Sequence, residues 1–278
     1  MRVHQQQITS WPKLSDASDA FESTQGNDVW IFRGQADAKW HLETSLERVR
    51  KSRGILPRDL ASLEGGLIRR FKRQYHHYSA DPPEKDNYIE WLALMQHHGA
   101  PTRLLDWTYS FFVAVFFAVE SGQTPAAVWA LNTTALFAEL REQLPDITDE
   151  FDKDHNVRSS EIFQKTFGKH PPATFACQLN PYRLSQRLTI QQGIFVCPGN
   201  VGRTFEENLA AVIGDSPPPD YLVKLVISPQ RKFRHDLLQR LHRMNMNRAT
   251  LFPGLDGFSR SLEQLLAFPN LKTFLPPD

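Results

Sequence analysis

The chain has 278 residues, 41% hydrophobic and 23% charged, ordinary proportions for a soluble globular protein that exclude a disordered or fibrous one. Its 32 basic and 31 acidic residues nearly cancel, so the chain as a whole is no polycation in search of polyanions. Two cysteines, Cys177 and Cys197, are too few for a disulfide scaffold or a four-ligand zinc site.

The opening MRVHQQQITSWPKL lacks the apolar core of a secretory signal, which leads to the expectation of a cytoplasmic protein. Ser15 to Phe21 offers capping residues followed by a short helix, and residues 1–28 are expected as a helical lead-in. Val29–Phe32 is a compact β-prone run ended by Arg33 and Gly34. From Leu46 to Tyr78 the pattern is helical, with Leu60, Leu63, Leu67, Ile68 and Phe71 at three-to-four spacing. Ile89 to His98 forms another helical stretch, stopped by Gly99-Ala100-Pro101. Arg103 to Asp106 is a short strand candidate.

Ser110 to Ser121 predicts an apolar helix capped by Ser110. A helix with no polar face must be buried on all sides. The longest uncharged apolar run, Trp107–Val119, is too short to cross about 30 Å of hydrocarbon, so no membrane partner is expected. Ala126–Leu131 is β-prone, and residues 133–170 are charged and mixed, expected as an inserted helical hairpin. Strand-like runs return at Leu188–Val196 and Tyr221–Ser228, before a helix over Lys232–Met244. Strands and helices alternate without a regular βαβ rhythm. The expected class is α+β, with a mixed or antiparallel sheet core surrounded by helices.

The sequence lacks the glycine-rich phosphate loops, the paired-histidine zinc motif and the nucleophilic-serine elbow of common enzyme classes. Three segments carry chemistry instead. In Trp30-Ile31-Phe32-Arg33-Gly34-Gln35, an arginine on a rigid strand can clamp a phosphate or carboxylate, and the glycine after it admits a ligand to the backbone. The alternative for Arg33 is a structural ion pair. In Gln96-His97-His98-Gly99-Ala100-Pro101-Thr102-Arg103-Leu104-Leu105-Asp106-Trp107-Thr108, an imidazole can titrate near neutrality and an indole can stack on a base. Adjacent histidines are poor paired metal ligands, so no metal is expected. Arg103 and Asp106 are equally read as an ion pair locking the loop. In Arg187-Leu188-Thr189-Ile190-Gln191-Gln192-Gly193, strand alternation puts Gln191 and Gly193 on one side. An amide there can orient a ligand but cannot act as a base, and the alternative is a glutamine that satisfies neighbouring backbone groups.

These motifs, with Trp40-x-Leu42, Ser45-Leu46-x-Arg48, the Val-Ala-Val-Phe-Phe-Ala helix and Leu251-Phe252-Pro253-Gly254-Leu255-Asp256-Gly257, resemble the FRG domain, named for its Phe-Arg-Gly motif. The resemblance runs from about Trp30 to Phe258 and implies one large domain over 29–278. It also suggests a bacterial protein of stress or phage defence, with a partner protein in a defence or toxin–antitoxin system. More loosely, the motif order is similar to ADP-ribosyltransferases of the Arg–Ser–Glu type. That likeness implies NAD as substrate, held by Arg33, with Gly34, Gln35, His97, Arg103, Trp107 and Thr108 around it. Leu105–Thr108 stands where those enzymes have Ser-Thr-Ser, and Gln191 falls near their catalytic glutamate. Gln191 has no charge with which to stabilise a developing cation, so the likeness leaves Asp106 as the acid, with His97 or His98 as base or stacking partner. The other reading is a non-enzymatic module that binds a nucleotide or nucleic acid.

Charge balance hides local asymmetry. Nine Lys/Arg face three acids between Glu47 and Tyr78, and six face only Asp236 between Arg231 and Arg248. The stretches 48–73 and 231–248 are therefore candidate phosphate-backbone contacts, the alternative being ordinary solvated helix faces.

Overall fold

The computed structural model describes residues 1–22, 28–122, 124–149, 160–168 and 171–266. In chain order the elements are β1 (His4–Ile8), α1 (Trp11–Glu22), β2 (Trp30–Gln35), α2 (Ser45–Arg53), α3 (Leu60–Gln74) and α4 (Tyr88–His97). There follow β3 (Leu105–Thr108), α5 (Phe111–Val119), β4 (Ala126–Asn132), α6 (Thr133–Gln143), α7 (Pro145–Thr148) and α8 (Ser160–Phe167). The last are β5 (Ala176–Leu179), α9 (Gln186–Ile190), β6 (Gly193–Pro198), α10 (Phe205–Ile213), β7 (Leu222–Ile227), α11 (Arg231–Arg243), α12 (Arg248–Leu251) and α13 (Leu255–Leu266).

The strands form one mixed sheet in the order β1-β7-β4-β2-β3-β6-β5, antiparallel throughout except for the parallel β1–β7 pair. The class is α+β. Its central strands, β4 and β7, are buried along their whole length, as two-sided apolar runs require. Two hydrophobic clusters hold the helices to the sheet. One gathers Leu14, Phe32, α5 and the Phe233, Leu237 and Leu241 stripe of α11; the other gathers Leu92, Trp107, Leu136, Leu140 and Phe205.

Helix α5 begins where the sequence places it, with Ser110 Oγ accepting from the Val113 N–H. Seven of its nine residues are buried, leaving only Phe112 and Phe117 partly open. Full burial of a Val or Phe side chain contributes about 1.5–3 kcal/mol, so this helix is a principal anchor of the fold. At its far end Arg234 of α11 donates from Nε to the Val119 carbonyl (2.6 Å) and from Nη2 to that of Glu120 (3.0 Å). These bonds satisfy carbonyls that a helix end leaves open.

Four features differ from the expectations. The lead-in 1–28 is not helical throughout, since β1 adds an edge strand beside β7. Its HQQQI sequence exposes four of five residues and is ordered by backbone pairing. In α3, Leu63 and Leu67 are 44% and 37% exposed, and the buried stripe is Leu60, Glu64 and Ile68. The run Leu188–Val196 is not one strand: α9 ends at Ile190, Gln192 takes a positive φ of 48°, and β6 begins only at Gly193. Gln191 is thus a turn residue, and the strand alternation assigned to it does not apply. Finally, 133–170 is helical where described and contributes Leu136, Leu140, Ile147, Phe163 and Phe167 to the core.

Gly34 has a use other than admitting a ligand. A Cβ at that position would lie 2.0 Å from the Ala114 carbonyl oxygen and 2.6 Å from the Ala118 nitrogen. The absent side chain lets the α5 backbone lie against β2. Gly34→Ala is therefore expected to push α5 outward and destabilise the protein by about 1–3 kcal/mol, the usual range for overpacking. Denaturant unfolding checks this, and unchanged stability would show that the two backbones separate without cost.

Candidate functional site

Strands β2 and β3 are neighbours, yet only Phe32 and Thr108 are paired between them, whereas β2 pairs with β4 along all six residues. Beyond that one pair the strands diverge. Arg33 bridges the gap with its side chain, donating from Nη1 to the Asp106 backbone oxygen at 2.6 Å. A cleft of about 1080 Å³ opens at this point, slightly larger than most ligand pockets. Its walls come from β2 and the loop after it, α4, β3, the end of α5, and the 183–191 segment.

Arg33 is the best-enclosed cation of the cleft. Burial lowers its pKa, the Asp106 charge opposes that shift, and Arg48 adds to it. Its Nε is buried without a hydrogen-bond partner among the described residues. An unpaired buried N–H on a charged fork is costly, and an anionic ligand oxygen would satisfy it. Asp106 is exposed to the cleft, and its Oδ2 accepts from Gln96 Nε2 at 2.8 Å. The other amide atom of Gln96 accepts from Thr102 Oγ1 (2.6 Å), so one side chain of α4 fixes both the turn after that helix and the carboxylate. The sequence contains Gln96 at the head of its second motif, but spacing gives no sign of this role.

Arg187 forms the opposite side. Its guanidinium lies 4.5 Å over the Phe252 ring and makes no hydrogen bond among the described residues. Burial lowers its pKa, while Asp106 raises it and Arg248 lowers it further. Stacking holds the plane of an arginine and leaves its N–H edge for a ligand. Arg248 lies 4.5 Å from the same ring and is ion-paired with Glu120, which also faces the cleft. Trp40, 56% exposed on the rim, offers the open aromatic face.

The structure brings Arg33, Gly34, Gln35, His97, Asp106, Trp107, Thr108 and Gln191 to this cleft. His98 is not among its lining residues. It is exposed and caps α4, and Gly99 follows with a φ of +77°. Arg103 does not reach the cleft either. It is buried in a two-pronged pair with Glu64, donating from Nε at 2.9–3.0 Å and also from Nη2, so its partner is α3 and not Asp106. Trp107 is 3% exposed in the core and offers no stacking face. Gln35 is consumed between the His41 carbonyl, to which it donates (3.0 Å), and Trp129 Nε1, from which it accepts (2.8 Å). Thr108 Oγ1 donates to the Gln191 carbonyl (2.6 Å) and accepts from the Ser110 N–H (2.9 Å), which ties the second motif to the third. The Gln191 amide donates to the Leu251 carbonyl at 2.8 Å. That bond spends the amide on holding α12.

The two basic stretches part company. In the second, Arg234 closes α5, Arg240 pairs with Asp236 and stacks on Trp11, and Arg248 pairs with Glu120. In the first, Arg53, Arg69, Arg70 and Arg73 are exposed and make no ion pair among the described residues. Among the described residues no helix is long and apolar enough to cross a membrane.

Fold and site together define an α+β protein whose single sheet parts around an arginine–aspartate cleft. Residues 28–127 match the family model of the FRG domain, and the chain carries that domain. The match takes in β2, Asp106 and α5, while Arg187 and Gln191 lie beyond it. No curated protein and no solved structure matches the chain.

Glu64 and Arg103 give a test of structural against functional use. Glu64→Leu leaves the Arg103 charge buried without its partner, an error that typically costs about 3–5 kcal/mol. Thermal or denaturant unfolding is expected to register that loss. Stability near that of the parent protein would show that Arg103 finds another partner, Asp106 being the nearest alternative in sequence.

Proposed function

We propose that the cleft takes a dinucleotide of the NAD type and breaks its nicotinamide–ribose bond, an ADP-ribosyltransferase-like reaction. The observation that carries this reading is a cleft-facing carboxylate, Asp106, set beside an enclosed arginine, Arg33, with an unpaired N–H. In this reading Arg33 and Arg187 hold phosphate oxygens, and Trp40 supplies a face for a planar ring. Asp106 faces the sugar carbon that becomes positive as the bond to nicotinamide lengthens. A fixed negative charge stabilises such a centre more in the transition state than in the ground state. Gln96 keeps the carboxylate in place while the charge develops. Gln191 acts only as a tie to α12. The stress or phage-defence role implied by the family resemblance belongs to the same proposal.

The exposed arginines of α2 and α3 favour a second reading, in which the protein binds nucleic acid without turnover. Such binding would weaken steeply from low to moderate salt, because each neutralised phosphate releases counterions.

Release of nicotinamide from NAD by the intact protein separates the two. Asp106→Asn, which keeps the shape and removes the charge, is expected to slow release by about 10²–10³-fold, the usual effect of removing one electrostatic stabiliser. Arg33→Lys keeps the charge but loses the two-pronged fork, and is expected to weaken substrate binding. Unchanged turnover in both variants sinks the enzymatic reading. Salt-sensitive retention on nucleic acid with no nicotinamide release would install the second.

A further inference from the structure

We propose that Ser185 is itself an acceptor of the ADP-ribosyl group, with His97 as the base that takes its proton. The inference rests on the NAD-cleaving reading of the cleft and adds the residue that receives the product.

Ser185 lines the cleft just before α9 and caps that helix, its Oγ accepting from the Leu188 N–H at 3.2 Å. A hydroxyl oxygen that accepts one hydrogen bond still has its own O–H to donate. The Oγ lies 3.4 Å from His97 Nδ1, a long contact, but nucleophile–base pairs commonly tighten only as the reaction proceeds. A base at this position must be unprotonated. His97 is exposed at the cleft, and its partial burial lowers its pKa below the usual value, with the His98 and Arg187 charges lowering it further.

The pair belongs to the Asp106 site by position as well. His97 follows directly after Gln96, which holds the Asp106 carboxylate. Arg187, two residues beyond Ser185, acts electrostatically on both Asp106 and His97. A serine needed only as a helix cap has no use for an imidazole beside its hydroxyl, or for a place in the wall of the cleft.

The step balances without a further reagent. The bond between ribose C1′ and the nicotinamide nitrogen breaks, and its electron pair leaves with nicotinamide. Ser185 Oγ forms the new bond to C1′, and its proton passes to His97 Nδ1 and from there to solvent. The Leu188 N–H steadies the oxygen as negative charge builds on it.

The test incubates the full chain with NAD, follows nicotinamide release and maps adducts by peptide mass spectrometry. The expected result is one ADP-ribosyl group on the peptide holding Ser185. Ser185→Asn, which keeps a good cap for α9, is expected to abolish that adduct. His97→Ala is expected to slow its appearance by about 10²–10⁴-fold, the range for loss of a general base. Nicotinamide release with Ser185 left unmodified overturns the inference and leaves the cleft reading standing. Absence of any nicotinamide release overturns both.

Discussion

The divergence of β2 from β3 after a single paired position is the constraint on which the cleft depends. Two adjacent strands in a sheet normally spend their backbone groups on each other, and every polar group left over must find another partner or water. Here the Asp106 carbonyl, which continued pairing would have used, is met by the Arg33 side chain. That hydrogen bond holds the two edges at a fixed separation, lets the sheet continue on either side, and leaves a polar gap in an apolar sheet. The cleft is therefore a property of strand pairing, and the two residues that close the gap are also its most reactive-looking pair.

Keeping the gap open requires firm support behind it. On one side α5 presses its backbone onto β2 at Gly34, and Arg234 secures the end of that helix. On the other, the Glu64–Arg103 pair and the Gln96 side chain fix the turn that leads into β3. A buried pair of this sort is weak evidence for net stability, because desolvation consumes much of its Coulomb energy. Its value lies in geometry: a two-pronged arginine–carboxylate contact allows few orientations, so the loop enters β3 in one register. The polar pairs near the cleft thus divide by burial. The sealed Glu64–Arg103 pair positions backbone, whereas Arg33 and Asp106 present polar atoms to the cleft.

Much of this was legible in the sequence where side-chain chemistry was uniform. The apolar Phe111–Val119 run could only be a buried helix, and Tyr221–Ser228 read as the clearest strand, which the structure places at Leu222–Ile227, buried throughout. Arg33 and Asp106 stood out in the sequence as charged groups bordering apolar strands, with an ion pair as the alternative use, and both line the cleft. What the sequence hides depends on partners far along the chain. Glu64 looks like a surface acid within a helix until Arg103, 39 residues on, is seen beside it. The strand nature of HQQQI comes from the open edge of β7 and not from its own polar side chains. Leu188–Ile190 has a strand's composition, but the Ser185 cap and the turn at Gln192 make it a helix. Gly34 is ambiguous in the same way: a glycine reports that something comes close, without saying whether it is a ligand or a helix.

The same reasoning explains how motifs spread along the chain meet at one place. Antiparallel pairing of β6 with β3 sets Gly193 opposite Thr108, and the Thr108 hydroxyl then reaches the Gln191 carbonyl. Gln191 in turn holds Leu251, and the ring of the next residue, Phe252, lies 4.5 Å from the guanidinium groups of both Arg187 and Arg248. Two cations near one ring repel each other, and the arrangement persists because Arg248 is paired with Glu120 while Asp106 compensates Arg187. The last motif therefore acts on the cleft through Arg187. The Phe252 ring lies 4.5 Å from that guanidinium, so one hydrophobic residue outside the cleft constrains where a charge inside it can sit.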